Sequence, residues 1–145
     1  MMKTWLKILI GLAIVGITVA VLGYFFYYNK PHPDYEKMKP EVSMNATDLY
    51  NSFKVSKTEA QKNYGGKLIE ITGNITRIES ADSLVIAVYV FGQGLFGDEG
   101  IRCTFLPKYK DAAKKLAPET TSVIKGYCTG YNDTDVILEQ CSVIQ

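Results

Sequence analysis

The sequence predicts a mainly β protein with helices: an N-terminal transmembrane helix, a short helical preface, then a small closed barrel of five strands with a helix between strands three and four. Three observations predict it. An uncharged apolar run occupies residues 8–26. Residues 67–79, KLIEITGNITRIE, alternate apolar and polar side chains with the period of a half-buried strand and carry a glycine near the middle. Four more β-patterned segments follow, and a proline-initiated helical stretch separates the third of these five strands from the fourth.

The apolar run Ile8–Phe26 is interrupted only by Thr18 and three glycines. That matches the ~20 residues needed to cross ~30 Å of hydrocarbon. Trp5 on one side and Tyr24, Tyr27 and Tyr28 on the other supply interfacial aromatics. A cleaved signal peptide is the competing reading, but the run is long for one and ends in bulky GYFFYYNK instead of a small-residue cleavage site. Lys3 and Lys7 oppose Lys30, Lys37 and Lys39, so the charge bias across the span is nearly even. The reading adopted is an uncleaved single-pass anchor with the domain on the extracytoplasmic side. Gly16 and Ala20 are spaced to seat a partner helix, which chance also produces in a Gly/Ala-rich span.

The expected divisions are an anchor at 1–28, a proline-containing linker at 29–44 and the barrel domain with its helices at 45–145. Pro31, Pro33 and Pro40 make the linker extended and semi-stiff, on the order of 40 Å at ~3.1 Å per residue. His32, the chain's single histidine, sits between two of these prolines and reads as linker filler. Asn45 is placed to cap a helix through Phe53, and Ser56-Lys-Thr-Glu59 is a capping box for a second helix ending at Gly65-Gly66.

In the first barrel strand Ile69, Ile71, Gly73 and Ile75 point one way and Glu70, Thr72, Asn74 and Thr76 the other. A long first strand in a small barrel pairs with two different neighbours, and Gly73 is read as the corner that lets it bend. The second strand, residues 83–91, is apolar on both faces. Its outer face is covered by the preceding helices or serves as a ligand platform. Then comes GQGLFGDEG, a glycine-rich loop with Leu95 and Phe96 near its tip. These two either form an interaction surface or fold back as a lid.

The third strand, 101–106, alternates Ile101, Cys103 and Phe105 against Arg102 and Thr104. Pro107 opens a helix whose Tyr109, Ala112, Ala113 and Leu116 share one face, with lysines on the other. Strands 122–131 and 136–144 flank the polar turn Asn132-Asp-Thr-Asp135. Centring that turn between Thr134 and Asp135 sets Cys128 opposite Cys141, close enough for a disulfide in an oxidising compartment and two buried thiols in a reducing one. Cys103 reads as a core thiol.

This strand order with a kinked first strand is that of an OB-fold. Tyr64-Gly-Gly-Lys67, Gly73, Cys103-x-Phe105, GYCTGY at 126–131 and ILEQC at 137–141 resemble the tRNA-anticodon-binding-like OB-fold family over residues 47–144. Its members are typically short and N-terminally anchored, and the resemblance implies a binding fold with no established catalytic residues.

The chain has 16 Lys+Arg and 15 Asp+Glu. Lys3 and Lys7 belong to the anchor, leaving 14 basic against 15 acidic residues. The basic excess that phosphate neutralisation demands of a nucleic-acid binder is missing. There is no phosphate-cradling loop, no HExxH, no Cys-x-x-Cys and no zinc-ribbon spacing. No enzyme, metal or cofactor is expected. The expectation is a membrane-anchored, non-enzymatic module in the cell envelope that binds a protein, glycan or small molecule. The alternative is a single-strand nucleic-acid binder that stacks bases on Tyr89 and Phe91 beside Arg102. Ligand-binding candidates are therefore Tyr89, Phe91, Arg102, Leu95 and Phe96.

Overall fold

A computed structural model describes residues 3–28 and 33–144. His32 and the linker residues 29–31 lie outside the described residues. The chain divides into two units, 1–33 and 34–145. The first contains one helix, α1 (Thr4–Tyr28), with a mean hydropathy of 2.5 over its most apolar window. Its length and composition suit a membrane crossing or a signal sequence.

The second unit is a seven-stranded β-sheet with short helices. In chain order come β1 (Val42–Asn45), α2 (Ala46–Val55), α3 (Lys57–Tyr64), β2 (Leu68–Asn74), β3 (Arg77–Ala81), β4 (Leu84–Gly94) and β5 (Gly97–Phe105). A 3₁₀ turn (Pro107–Tyr109) leads into α4 (Lys110–Lys114), then β6 (Thr121–Tyr131) and β7 (Asp135–Ile144). The sheet order is β1-β2-β6-β7-β5-β4-β3. Since β2 and β3 are successive halves of one ribbon, that order closes on itself. The first half pairs with β6 and the second with β4, and the Thr76 amide already donates to the Val88 carbonyl at 2.9 Å. This is the expected five-stranded OB barrel, with its first strand counted as two and an extra edge strand, β1, laid parallel on β2 from Val42↔Ile69 to Asn45↔Thr72.

The corner differs from expectation. The ribbon breaks at Ile75-Thr76, while Gly73 stays in register opposite Ser122. Its missing side chain answers a packing demand: a Cβ there would lie 3.0 Å from the Ala46 Cβ and 3.4 Å from the Tyr89 ring. Glycine lets the start of α2 and the Tyr89 ring close in from two sides.

Ile69, Ile71, Ile75, Val85, Ala87, Ile101, Ile124, Val136 and Leu138 fill the barrel at 0–1% exposure, and α2 adds Leu49 and Phe53 to the same core. Burying each of the valine, leucine, isoleucine and phenylalanine side chains among them contributes about 1.5–3 kcal/mol. Asn45 occupies the N-cap of α2 without a side-chain capping bond, against expectation, whereas Ser56 does accept from the Glu59 amide. The helix after Pro107 is one short turn of 3₁₀ and one of α, ending before Leu116.

Much of the expected linker is docked on the barrel. Tyr35 stacks on Tyr127 with centroids 5.0 Å apart. Lys125, only 7% exposed, donates to the carbonyls of Glu36 and Met38 at 2.7 and 2.8 Å. The Glu36 carboxylate takes Tyr109 and Lys108. Its hydrogen bond pushes the Tyr109 phenol up to about 12. The carbonyls of residues 36 and 38 thus take two of the three N–H donors of a side chain that has largely left water.

Candidate ligand-binding surfaces

The outer face of β3, β4 and β5 is where an OB barrel offers its strands to a ligand. Register sets Val88 between Arg77 and Arg102, and Ile86 between Glu79 and Thr104. The two arginines are tied down by acids. Arg77 donates to Glu79 at 2.9 Å and Asp98 at 2.6 Å, and Arg102 to Asp135 at 2.9 Å and Glu79 at 3.1 Å. Val88 beneath them is 2% exposed. The outer face of β4, for which the sequence allowed either the preceding helices or a ligand platform, is thus roofed here by cross-strand ion pairs. Two arginines against three carboxylates leave this lattice with one net negative charge.

Hydrogen bonds from Arg77 hold Glu79 and Asp98 below the usual carboxylate range, and Lys54 does the same for Glu99. A carboxylate with a depressed folded pKa adds stability above its unfolded value and loses it as pH falls through the folded one. The thermal midpoint is therefore expected to hold above about pH 5 and to fall on acidification below about pH 4. A midpoint that stays flat down to about pH 3 would show the lattice contributes nothing.

Of the residues predicted to bind, Tyr89 is in the core at 0% exposure, and its hydroxyl has no partner among the described residues. It cannot stack a base. Burial drives its phenol far above its usual pKa. An orphaned buried hydroxyl costs about 1–3 kcal/mol. Tyr89→Phe is expected to raise the thermal midpoint by a few degrees, and a lowered midpoint would mean the hydroxyl has a partner in solution.

Phe91 shares its side of β4 with Tyr89, the two rings near-parallel with centroids 6.5 Å apart, but it lies at the barrel's rim at 36% exposure, where it also stacks on Tyr50 at 5.3 Å. Tyr50 is fixed in turn by its hydroxyl donating to Glu99, which also pairs with Lys54. Arg102 belongs to the lattice. The glycine-rich stretch is not a loop. β4 and β5 run on as a hairpin to the pair Gly94↔Gly97, leaving Leu95 and Phe96 as a two-residue turn at 98% and 92% exposure. Both are open to solvent and neither lids the barrel.

The cysteines also differ from expectation. Two slips between β6 and β7 pair Cys128 with Leu138, so Cys141 does not face it. Cys103, Cys128 and Cys141 are free and wholly buried. Burial pushes the Cys128 thiol up to about 11 and raises Cys141 as well. Neither is a thiolate nucleophile near neutral pH. Asp135, read as part of a polar turn, is instead 6% exposed and accepts from the Gly100 amide and from Arg102.

Sequence reasoning missed a cleft of about 650 Å³ where the ribbon breaks. Asn45 and Asp48 come from the start of α2, Thr72 and Thr76 from either side of the break, Phe91 from β4 and Glu119 from the turn before β6. The outward threonines were visible as period-2 positions. Their meeting with α2 depends on a non-local docking that no local pattern encodes.

A family model matches residues 1–143. The chain belongs to the tRNA_anti-like family. Among solved structures, this tRNA_anti-like chain is similar to a lipoprotein of Klebsiella pneumoniae subsp. pneumoniae MGH 78578 for which nucleic-acid binding has been suggested. The two share 17% identity with a TM-score of 0.54, over 80% of this chain and all of the other. Looser likenesses are to asparaginyl-tRNA synthetase from Pyrococcus horikoshii (16% identity, TM-score 0.39, 57% of this chain and 20% of that one) and to an OBody bound to hen egg-white lysozyme (15%, 0.40, 57% and 85%). No curated protein sequence matches significantly. The Klebsiella likeness supports the tRNA_anti-like fold, and a shared fold does not by itself carry a function.

Proposed function

We propose that the barrel is a non-enzymatic binding module, anchored in a membrane through α1 with the domain on the envelope or extracellular side, and that it engages a protein partner through its hairpin tip. One observation carries this reading: Leu95 and Phe96 stand at 98% and 92% exposure on a turn with ladder pairing directly behind it. Two large apolar side chains held out on a regular hairpin form a compact anchor of the kind that fills a partner's pocket. A catalytic role has little support, since the cysteines are buried thiols and the single histidine is His32. Single-strand nucleic-acid binding is disfavoured by the net negative lattice and by Tyr89 in the core.

The test uses the full chain in its native membrane with a photoreactive phenylalanine analogue in place of Leu95. A discrete protein adduct that disappears with Phe96→Ser is expected. An absent adduct, or salt-sensitive capture of a single-stranded oligonucleotide, overturns the reading. Leu95→Cys reports sidedness in the same cells, because the three native cysteines are buried. Labelling by a membrane-impermeant maleimide is expected from outside.

A further inference from the structure

We propose that the cleft at the break in the first barrel strand is a binding site for an uncharged saccharide. The proposal rests on the binding-module reading and assigns a second, independent surface of that module. The cleft's volume of about 650 Å³ falls within the roughly 300–1,000 Å³ range of small-ligand sites. Its chemistry narrows the ligand class.

Charge comes first. Asp48 and Glu119 line the cleft, and among the described residues no lysine or arginine does. A phosphate, sulfate or carboxylate is repelled there by both charged groups and finds no cationic side chain among the described residues to offset them. Two carboxylates are also too few oxygen donors for a hard cation that takes six to eight, and no cluster of three metal-type side chains occurs among the described residues. A ligand that suits two carboxylates without carrying negative charge is one rich in O–H donors.

The neutral groups fit the same class. Asn45 sits at the N-cap of α2 and makes no capping bond, so its side-chain amide is not engaged by the helix end. The Asn74 carbonyl oxygen accepts from the Thr121 hydroxyl, which leaves its NH₂ to donate. Thr76 accepts from the Val90 amide through its hydroxyl oxygen and keeps its proton for another acceptor. Carboxylates, amides and hydroxyls side by side offer both donors and acceptors, as vicinal sugar hydroxyls require. The remaining wall is Phe91, held in place by its stack on Tyr50. A fixed aromatic ring can receive the C–H face of a pyranose while the polar groups take its rim. The barrel's own strand break brings these groups together, because Thr72 and Thr76 belong to halves of the ribbon that pair with different neighbours.

The experiment is calorimetric titration of the full chain in lipid nanodiscs, free of glycoside detergents, which would themselves compete. The probes are neutral tetrasaccharides of β-1,4-linked glucose and N-acetylglucosamine, a sulfated oligosaccharide and spermidine. A neutral probe is expected to bind with little salt dependence and to weaken at least about tenfold with Asp48→Ala and with Phe91→Ala. Asn45→Ala, which removes no capping bond, keeps the thermal midpoint and weakens binding in the same way. Absence of binding to either neutral probe, tighter binding of the sulfated sugar or spermidine, or unchanged affinity in Phe91→Ala overturns the assignment. Failure here leaves the adduct at position 95 intact, whereas loss of that adduct with saccharide binding preserved defeats only the hairpin reading.

Discussion

Gly100→Ala is expected to abolish the fold of the barrel or to destabilise it by about 4 kcal/mol or more. An added Cβ would sit 1.7 Å from the Tyr89 carbonyl oxygen and 2.8 Å from its carbon. Both obstacles are main chain, so no rotamer change relieves them. The contact falls where β4 and β5 slip register between Val90 and Gly92, and the Gly100 amide is also bound by the Asp135 carboxylate. Moving Gly100 therefore disturbs the β4–β5 ladder and the bond to β7 together. Against a whole stability of ~5–15 kcal/mol for a domain of this kind, such a loss is decisive. Urea unfolding by circular dichroism measures it. Gly92→Ala is the control, since its Cβ would meet nothing nearer than the Tyr50 hydroxyl at 3.7 Å, and it is expected to change stability by under about 1 kcal/mol. Equal midpoints for the two variants would mean that the crossing of β4 and β5 is wrongly described.

The second large effect is expected from Arg102→Met. Removing the guanidinium leaves the 6%-exposed Asp135 carboxylate with the Gly100 backbone amide as its remaining hydrogen-bond donor among the described residues. Stranding one member of a buried ion pair costs about 3–5 kcal/mol. Arg102 is itself a third exposed, so solvent screening brings the expectation to about 2 kcal/mol. Adding Asp135→Asn should recover part of the loss, and the double-mutant cycle reports the coupling. Were Arg102 held out for a ligand, its loss would change affinity and leave the unfolding midpoint in place.

Much of the architecture could be read from local pattern. The alternation from Leu68 onward, the Ser56 cap and the proline at 107 each declare their element within a few residues, and all three stand in the structure. What could not be read depends on distant partners. Gly73 looks like a hinge in the sequence, yet it is small because Ala46 and Tyr89 arrive from elsewhere. Tyr89 and Phe91 share a face both on paper and in the structure, but the one lies in the core and the other at the rim, a difference set by what packs around each and not by parity. The cysteine pairing failed on two such slips in β6 and β7. The hairpin tip was legible as two apolar residues among glycines, and its exposure was one of the two outcomes the pattern allowed. The cleft was invisible because α2 must dock before Asp48 and Thr72 share a surface.

The docked segment from Asp34 to Met38 bears on where the chain could be cut and still leave the barrel whole. A protease that severs the chain ahead of Asp34 leaves a body in which Lys125 still donates to the carbonyls of Glu36 and Met38 and β1 is still zipped to β2. A cut a few residues later, between Met38 and β1, detaches the carbonyls that accept from Lys125, although β1 keeps its ladder on β2. The self-sufficient barrel thus begins near Asp34, well ahead of its first strand.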